Sequence, residues 1–536
     1  MLNRRRPTGP RARQLSRTGA LCAAAALVAL VIAACGGSPG SAAGGSGSSV
    51  GTDSSATLQV ATSQPPTSLD PCAGTGGADL PFLNPIYSPL IFSVPSTGQL
   101  EPGLASSWGF SGANKLTFNV TLKQGLKFQD GTPLNAAAAV ASMQRCLGLK
   151  VQSVPTIKDI VATGTYTFRI DLTAPTSGLP GLLSNRLGMI VSPTAVKKYG
   201  NNFADHPVGA GPYTFESYVP DSSVTLTKFA GYKSAGEPAA GAAGMHIQII
   251  EDQTALASAV ISGTADYAFA VDPSVVATLE KASGISVHIN NKSLAFTDLA
   301  FNESIKPLNN VKVRLAIEYA INRTALAAGA SNGVHTTPAW APYPPGNPYY
   351  DAAMNNAWPY SVTKAKQLLA QAGYPNGVTL TGVAIAAPPF QNDGIILQQQ
   401  LAEAGIKVQF ENEQPVQAID SFSTKDSAMM FSIGYDAEPT AYATYYGLFA
   451  TTSFDNAGHV DSPAMDTAIN MMNATYTDSD LMTAIKQADQ ALKTEAPLAP
   501  LYYNPFPEAY TSKIQGADQA SSLIGEPDLN YLSLAS

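Results

Sequence analysis

The chain has 536 residues, with 31 Lys and Arg, 39 Asp and Glu, and five scattered His. Six Arg and no acids lie in the first 34 residues, so the 502 residues from Cys35 onward carry a net charge of −14. That balance argues against nucleic-acid binding, which needs a basic surface. No Gly-Lys-Ser/Thr phosphate loop and no closely spaced His are present, so the sequence predicts no metal and no cofactor.

The first 34 residues have the pattern of a secretory signal peptide. A basic start, Arg4 to Arg17, precedes the apolar run Ala20–Ala34, which is shorter than the ~20 residues of a membrane-spanning helix. The run ends in Ile-Ala-Ala before Cys35, which resembles the lipobox of bacterial lipoproteins. In those proteins the cysteine is lipidated and becomes the new N-terminus, so Cys35 is the predicted lipidation site. The alternative is a plain secretory signal in which Cys35 is incidental.

The segment after Cys35 has the composition of a tether. Residues 36–56 are almost all Gly, Ser and Ala, a composition that stays a flexible coil with a span of roughly 25 Å. Beyond it lie Cys72 and Cys146. Outside the cytoplasm two cysteines often pair, so we expect either a Cys72–Cys146 disulfide or two separate buried thiols.

The globular body begins at Thr57, where alternating apolar residues predict a short strand. The same alternation over residues 116–122 predicts a half-buried strand, and residues 126–128 are predicted to form a second strand after a turn. Asn135 is then the expected N-cap of a helix, because an Asn side chain can accept a bond from a free backbone N–H. Trp108 is expected in the core.

The apolar pattern in the second half of the sequence predicts a strand–helix–strand unit. Apolar residues at helical spacing over 365–372, closed by Gly373, indicate an amphipathic helix. A strand over 378–386, a helix over 395–404 and a strand over 406–410 follow. This order implies two parallel strands covered by a helix, so this half is predicted to be α/β.

Several ordered motifs resemble one family. The stretches "LEPGLASSW", "LTFNVTLKQGLKFQDGTPLNAAAAV", "HPVGAGPYTF" and "LAFNESIKPLNNVKVRLAIEYAINR" are similar to family 5 bacterial extracellular solute-binding proteins, the peptide/nickel-type receptors of ABC importers. The likeness runs from about residue 57 to 510, with Ala210 where the family's P-V-G-T-G-P-Y motif has Thr. We interpret Gly209 and Pro212 of this motif as residues that shape the backbone.

The resemblance implies an α/β fold of the two-lobed periplasmic-binding-protein type (type II), with an extra subdomain in the first lobe and a ligand cleft between the lobes. The expected organisation is a signal peptide over 1–34, the lipidated Cys and linker over 35–56, a lobe I core over 57–85, 206–297 and 503–536, the extra subdomain over 86–205, and lobe II over 298–502.

The resemblance also suggests a ligand loop in "FSIGYDAEPTAYATYY", residues 431–446. In peptide-binding members an Asp before Asp/Glu-Pro pairs with the ligand's α-amine, and a carboxylate suits an ammonium group. Here Tyr435 holds that position and Asp436 comes one residue late, so Asp436 is either a ligand contact or a solvated turn residue. The candidate ligand contacts of this loop are Ser432, Gly434, Tyr435, Asp436 and Glu438.

Two further loops carry candidate contacts by their place in the family. Thr75, Gly76 and Gly77 lie where the first lobe meets extended ligands through its backbone. Trp340 and Tyr343 occupy the Pro-rich loop "TTPAWAPYPPGNPYY". Their rings either stack on a ligand or pack the loop on its lobe.

The function that the resemblance implies is a lipid-anchored receptor of an ABC importer. It captures a peptide or another small polar solute, such as a sugar or metal chelate, and delivers it to a permease and ATPase complex as a monomer. It carries out no chemistry and is held outside the cytoplasm by the lipid on Cys35, on the outer face of the plasma membrane in a Gram-positive cell. An extracellular hydrolase, a structural surface lipoprotein and a sensor or chaperone of the same fold are the alternatives.

Replacing Cys35 by Ala tests the anchor. We expect Cys35→Ala to move the protein from the membrane fraction to the soluble extracellular fraction, because no cysteine remains at the end of the lipobox to carry the lipid. Immunoblotting of fractionated cells measures the distribution, with Cys22→Ala as the matched control that leaves the anchor intact. Continued membrane association of Cys35→Ala would contradict the lipoprotein assignment.

Overall fold

The computed structural model describes residues 53–74, 77–149, 156–233, 236, 238–291, 293–334, 336–386, 390–435, 438, 440–453, 456 and 458–536. The predicted signal peptide, Cys35 and most of the linker lie outside these residues. Within these ranges, no helix combines the length and the apolar composition needed to cross a bilayer.

Strands are numbered in chain order: β1 Thr57–Thr62, β2 Ile91–Ser93, β3 Leu100–Pro102, β4 Ala105–Ser111, β5 Thr117–Leu122, β6 Ile157–Ala162, β7 Thr167–Leu172, β8 Tyr213–Val219, β9 Ser223–Lys228, β10 Gly244–Ile249, β11 Tyr267–Phe269, β12 Ile285–Asn290, β13 Phe296–Phe301, β14 Val378–Ile385, β15 Ile406–Glu413, β16 Met430–Tyr435, β17 Leu498–Tyr503, β18 Phe506–Thr511, β19 Ile514–Gln515 and β20 Ser533–Leu534.

The α-helices are α1 Leu80–Ile86, α2 Ala136–Leu149, α3 Leu179–Leu182, α4 Pro193–Tyr199, α5 Gln253–Ile261, α6 Pro273–Leu279, α7 Val311–Ala320, α8 Arg323–Ala330, α9 Val362–Gln371, α10 Phe390–Glu403, α11 Pro415–Ile419, α12 Ala441–Phe449, α13 Pro463–Ala474, α14 Asp478–Glu495 and α15 Ala517–Ala520.

The core of lobe I is a seven-stranded mixed sheet in the order β12-β18-β11-β1-β10-β9-β8. The first strand, β1, pairs in parallel with both β10 and β11, and the outer strands pair antiparallel. The alternation predicted from Thr57 holds, because Leu58 and Val60 are fully buried against α1 in one apolar cluster. The chain enters this sheet three times, which is why distant segments of sequence form one lobe.

The extra subdomain is a four-stranded antiparallel sheet in the order β4-β5-β7-β6, with α2 packed against it. Asn135 caps α2 as predicted, since its Oδ1 accepts a bond from the N–H of Ala138 at 3.0 Å. The strand predicted over 126–128 is wrong. Lys127 makes only an isolated bridge to Pro133, because the chain turns back at Gly131, which has a φ of 82°.

A disulfide and an ion pair tie the subdomain to lobe I. Cys72, from the loop after β1, is bonded to Cys146 of α2, with their Cα atoms 4.6 Å apart. Arg145 directly precedes Cys146 on α2, and its guanidinium donates to the buried Asp70 carboxylate at 2.5 and 3.0 Å. Both links join α2 to the same loop, so the subdomain is fixed to lobe I at this point.

The motif around Gly209 provides a second junction. The Gln129 side-chain amide donates to the carbonyls of Ile86 and Tyr213 and accepts from the Gly209 N–H at 2.9 Å. A Cβ atom on Gly209 would lie 2.3 Å from the Ile86 carbonyl oxygen, so no side chain fits there. The interpretation of Gly209 as a residue that shapes the backbone agrees with this close approach.

Lobe II is a five-stranded sheet in the order β15-β14-β16-β13-β17. The predicted strand–helix–strand unit is confirmed, because β14 and β15 pair in parallel and α10 connects them. The helix starts at Phe390, five residues before the predicted start. The amphipathic helix is α9, which ends before Gly373, a residue with a φ of 94°.

The chain crosses between the lobes at residues 293–295 and 504–505. The boundaries predicted from sequence place 297 and 503 in lobe I, and the structure moves both to lobe II, because Thr297 belongs to β13 and Tyr503 to β17. The N–H of Asn504 donates to the Ala295 carbonyl at 2.9 Å, so the two crossing segments lie side by side.

Asp393 provides a pH-dependent element of lobe II stability. Its carboxyl group is buried and accepts a bond from the Tyr502 hydroxyl at 2.9 Å, and burial raises the pKa of Asp393 from 3.8 to about 7. Folded Asp393 therefore keeps its proton where the unfolded chain has lost it, between about pH 4 and pH 7. Its contribution to stability is present below that interval and falls as the pH rises through it.

Asp393→Asn removes this titration and keeps the acceptor for Tyr502. We expect the free energy of unfolding to fall less between about pH 5 and pH 8 in the variant than in the parent chain, as measured by urea denaturation at each pH. Exposed Glu411 in the same lobe gives the control Glu411→Gln, which should leave the slope unchanged. Equal slopes for Asp393→Asn and the parent would contradict the assignment.

Candidate functional site

A cavity of about 840 Å³ lies where lobe I, the subdomain and lobe II meet. Small-molecule sites in two-lobed proteins form at such interfaces, and this volume suits a solute the size of a small peptide. Its walls come from these three parts of the chain. The crossing residue Leu294 also lines the cavity, so the cleft lies beside the hinge.

The lobe I wall is formed by α1 and the C-terminal segment. Asn530 is buried, and its side-chain N–H donates to the Asn84 carbonyl at 3.1 Å. That bond fixes the orientation of the amide, and the opposite atom, Asn530 Oδ1, has no hydrogen-bond partner among the described residues. Asp528 accepts from the Asn530 N–H at 3.1 Å, and burial raises the pKa of Asp528 to about 6.

The subdomain wall is aromatic. Trp108 and Phe110 lie two residues apart on β4, so both side chains point to the same face of the sheet. Phe110 packs edge-on against Phe118 with ring centroids 4.8 Å apart. The expectation that Trp108 belongs to the core is wrong in part. Trp108 is half-buried and packs on the subdomain core while it lines the cleft, because its strand faces lobe II.

The lobe II wall combines tyrosines with acids. Tyr343 is buried and its ring lies 6.2 Å from that of Tyr445, whose hydroxyl donates to Asp489 at 2.6 Å. Burial raises the pKa of Asp489 to about 7. These contacts hold Tyr343 within the cleft wall, to which the half-buried Glu438 also belongs.

The charges that line the cleft have one sign. Glu526 and Asp528 lie on the lobe I wall, and Glu438 and Asp478 lie on the lobe II wall. Among the described residues that line the cavity, none is Lys, Arg or His. The described parts of the chain also contain no cluster of three or more His, Cys, Asp or Glu able to hold a metal ion.

The subdomain and lobe II touch across the mouth of the cleft. The Ser177 hydroxyl donates to the Met472 carbonyl at 2.8 Å, and the Ser177 N–H donates to the Asn473 carbonyl at 3.0 Å. Nearby, the rings of Phe110 and Tyr476 meet edge to face with centroids 4.9 Å apart. These contacts hold the two walls in a closed arrangement.

The residues predicted from sequence divide between the cleft and other places. Tyr343 and Glu438 line the cleft. Trp340 instead lines a separate cavity of about 250 Å³ beside Tyr503. Of the remaining candidates, Gly77 begins a short helical turn before α1, and Thr75, Gly76 and Asp436 lie outside the described residues.

The three β16 candidates do not line the cleft. Ser432 is fully buried within the sheet, where it pairs with Leu299. Gly434 lies beneath the Phe390 ring, which would be 3.3 Å from an added Cβ. The Tyr435 hydroxyl donates to the Thr444 carbonyl at 3.3 Å, and its ring packs on Phe296.

Several cleft residues were not predicted from sequence. The sequence around Trp108 and Phe110 offered a clue that they line a site. Two aromatics on one face of a strand that also bears exposed serines indicate a surface that meets a partner or ligand. The sequence around Tyr476, Glu526 and Asn530 offered no such clue, since their position in the cleft depends on contacts with residues that are distant in sequence.

Two α/β lobes joined by paired crossing segments, with a deep cleft between them, define a solute-binding protein. The chain belongs to the bacterial extracellular solute-binding proteins of family 5, because residues 99–456 match the model of that family's middle region. The resemblance seen in the sequence is thereby confirmed, and so is the two-lobed fold class. Proteins of this family act outside the cytoplasm and bind solutes.

A curated relative is similar along most of the chain. The glutathione-binding protein GsiB of Escherichia coli O1:K1 / APEC is 30% identical over 470 residues, which cover 84% of this chain and 89% of GsiB. The alignment therefore spans both lobes.

Solved structures share the fold. DppA of Helicobacter pylori, in complex with the peptide STSA, superposes with a TM-score of 0.77 at 23% identity and covers 90% of this chain and 98% of its own. AgaA of A. tumefaciens R10, in complex with agropinic acid, has a TM-score of 0.76 at 25% identity, and the superposition covers 90% of this chain and 99% of AgaA. NikZ of Campylobacter jejuni, in complex with Ni(L-His), has a TM-score of 0.74 at 19% identity, and the superposition covers 89% of this chain and 99% of NikZ.

Tyr476→Ala tests the contact across the mouth of the cleft. An aromatic pair contributes about 0.5–1.5 kcal/mol beyond its buried area, so loss of the Phe110 contact should shift the ligand-free protein toward an open form. We expect a larger radius of gyration by small-angle X-ray scattering. Tyr476→Phe keeps the ring and should stay close to the parent, as should Tyr360→Ala on the exposed surface. An unchanged radius for Tyr476→Ala would contradict a role in closure.

Proposed function

We propose that this protein is the substrate-binding receptor of an ABC importer, and that it captures a peptide or another small polar solute by closing its two lobes. The observation that carries the proposal is the cleft of about 840 Å³ enclosed by walls from both lobes, in a chain that belongs to a solute-binding family. The cleft has the volume and the mixed aromatic and polar lining of a small-solute site.

Closure about the crossing segments is the expected working motion. A ligand that contacts Trp108 on one wall and Tyr343 on the other gains both sets of contacts only in the closed form, so binding shifts the population toward closure. The closed form is then the state that a permease and its ATPase recognise. The receptor needs no chemistry of its own, and we propose that it acts as a monomer without a cofactor.

Two relatives support the ligand class. GsiB is a glutathione-binding protein, and AgaA was solved in complex with agropinic acid. A short peptide or a solute of similar size and polarity therefore suits this chain. Among the sequence candidates, Tyr343 and Glu438 are proposed ligand contacts by their place in the cleft.

The anchor completes the proposal. Lipid on Cys35 would hold the receptor at the outer face of the membrane, and the Gly- and Ser-rich segment after it would let the body reach its permease. The proposed location is thus extracytoplasmic and tethered.

Native mass spectrometry of the mature protein, extracted from its own host in detergent, tests the receptor function. We expect a bound small molecule that is released on denaturation. Trp108→Ala should co-purify with less of it, because a cleft wall is lost, whereas Tyr360→Ala on the outer surface should retain it.

A thermal-shift screen extends the test to ligands lost during purification. A solute present at about 100 times its Kd should add about 2.7 kcal/mol of stability. A protein that co-purifies with no solute and gains no stability from peptides, amino acids, sugars or metal chelates would contradict the receptor function.

A further inference from the structure

Ser177 and Gly178 of the subdomain contact lobe II at the mouth of the cleft. They lie between β7 and α3, and both line the cavity. Their partners in lobe II, Thr440 and Met472, also line it. The contact between the two lobes is therefore part of the cavity wall, so a change in this contact opens or closes the cavity.

Ser177 caps a helix of the opposite lobe. The last carbonyl groups of a helix have no partner within it, and α13 ends at Ala474, before the extended backbone of Thr475 with φ −96° and ψ 141°. The Ser177 hydroxyl donates to the Met472 carbonyl at 2.8 Å, and its N–H donates to the Asn473 carbonyl at 3.0 Å. The Met472 carbonyl also accepts from the Thr475 hydroxyl at 3.1 Å, within lobe II. The bond to the Asn473 carbonyl comes from across the cleft, so this end of α13 is capped by the other lobe.

Gly178 is limited in size by the opposite lobe. Its φ of −74° and ψ of −2° are open to other residues, so its own backbone does not require glycine. The three atoms nearest to an added Cβ all belong to Thr440, with Cγ2 and Oγ1 at 3.1 Å, closer than the ~3.5–4.0 Å at which carbon atoms pack. Thr440 caps α12 of lobe II, where its hydroxyl accepts from the Ala443 N–H at 3.1 Å. A side chain at position 178 is therefore disfavoured by the closed position of lobe II.

These contacts stabilise the closed form without a solute. When the lobes separate, the Asn473 carbonyl exchanges the Ser177 N–H for water, so each hydrogen bond contributes a modest net free energy to closure. No atom of a solute takes part in them. They therefore favour the closed form whether the cleft is filled or empty, and they must break before an enclosed solute can leave.

We propose that Ser177 and Gly178 form a latch: they hold the cleft shut by capping α13 and packing on Thr440, and the breaking of this contact sets the rate at which an enclosed solute leaves. The part that concerns the solute rests on the proposed receptor function, whereas the latch itself is a property of the protein alone. A receptor with such a latch also closes when empty, and it admits a new solute only while the latch is open.

A double-cysteine variant tests whether the latch engages in the empty protein. An added Cβ on Gly178 would lie 3.3 Å from the Thr440 Cβ, near the ~3.5–4.5 Å between the Cβ atoms of a disulfide. We expect Gly178→Cys/Thr440→Cys in the mature protein to form an intramolecular disulfide under mild oxidation without added solute, as detected by mass spectrometry of a non-reduced digest. Gly178→Cys paired with Tyr360→Cys on the exposed surface of lobe II is the control and should not cross-link. Failure of the first pair to cross-link would overturn the proposal.

Gly178→Val tests whether the latch holds the cleft shut, because its side chain overlaps Thr440 only in the closed form. We expect a larger radius of gyration than that of the parent protein by small-angle X-ray scattering without added solute. Gly148→Val is the matched control, since an added Cβ on this subdomain glycine meets nothing within 4 Å, and it should keep the parent radius. Ser177→Ala loses the bond to Met472 and keeps the bond to Asn473, so its radius should be intermediate. Parent radii in both Gly178→Val and Ser177→Ala would contradict the latch, and Ser177→Ala decides if Gly178→Val does not fold.

The release of a co-purified solute separates the latch from the receptor function. During dialysis followed by native mass spectrometry, Gly178→Val should lose its solute about tenfold faster than the parent, the factor that two hydrogen bonds together supply. The cross-linked double-cysteine protein should retain its solute longer than the parent treated with the same oxidant. Equal release from all three proteins would overturn the role of the latch in solute exit and leave the receptor function standing. The absence of any bound solute counts against the receptor function instead, and the cross-link and the scattering then decide the latch.

Discussion

The backbone hydrogen bond between Asn504 and Ala295 fixes the geometry on which the molecule depends. It pairs the two segments where the chain crosses between lobes, so these short stretches of backbone are the connection about which we propose that the lobes close. Thr297 adds a bond from its hydroxyl to the Asn504 side chain at 2.8 Å. The cleft, its hinge residue Leu294 and the opposition of its walls all follow from that pairing.

The subdomain moves with lobe I because three kinds of contact join them. The Cys72–Cys146 disulfide is covalent, the Asp70–Arg145 pair is a part-buried charge contact, and Gln129 bridges backbone groups. By comparison, the subdomain meets lobe II through the hydrogen bonds and rings at the mouth of the cleft. Under the proposed closure, a ligand meets lobe I with its subdomain on one side and lobe II on the other, and we expect the noncovalent junction at the mouth to be the one that opens.

Local signals in the sequence were sufficient for most elements and insufficient for the cleft walls. The Asn135 cap, the end of α9 at Gly373 and the parallel pair β14–β15 depend on residues close in sequence, so periodicity and capping rules predicted them. The strand expected over 126–128 failed because a tight turn competes with pairing there. The walls meet only after folding. Asn84 and Asn530 are 446 positions apart, and no local pattern brings them together.

The Cys72–Cys146 link also affects how the protein matures. Its cysteines are 74 positions apart and join a loop of lobe I to the subdomain. The subdomain therefore lacks its covalent link to lobe I until the two thiols are oxidised. Oxidation belongs to the compartment beyond the membrane, not to the reducing cytoplasm where the chain is made. In a protein that acts outside the cytoplasm, this covalent link forms after export, so before then the subdomain is held to lobe I by the noncovalent contacts of Arg145 and Gln129.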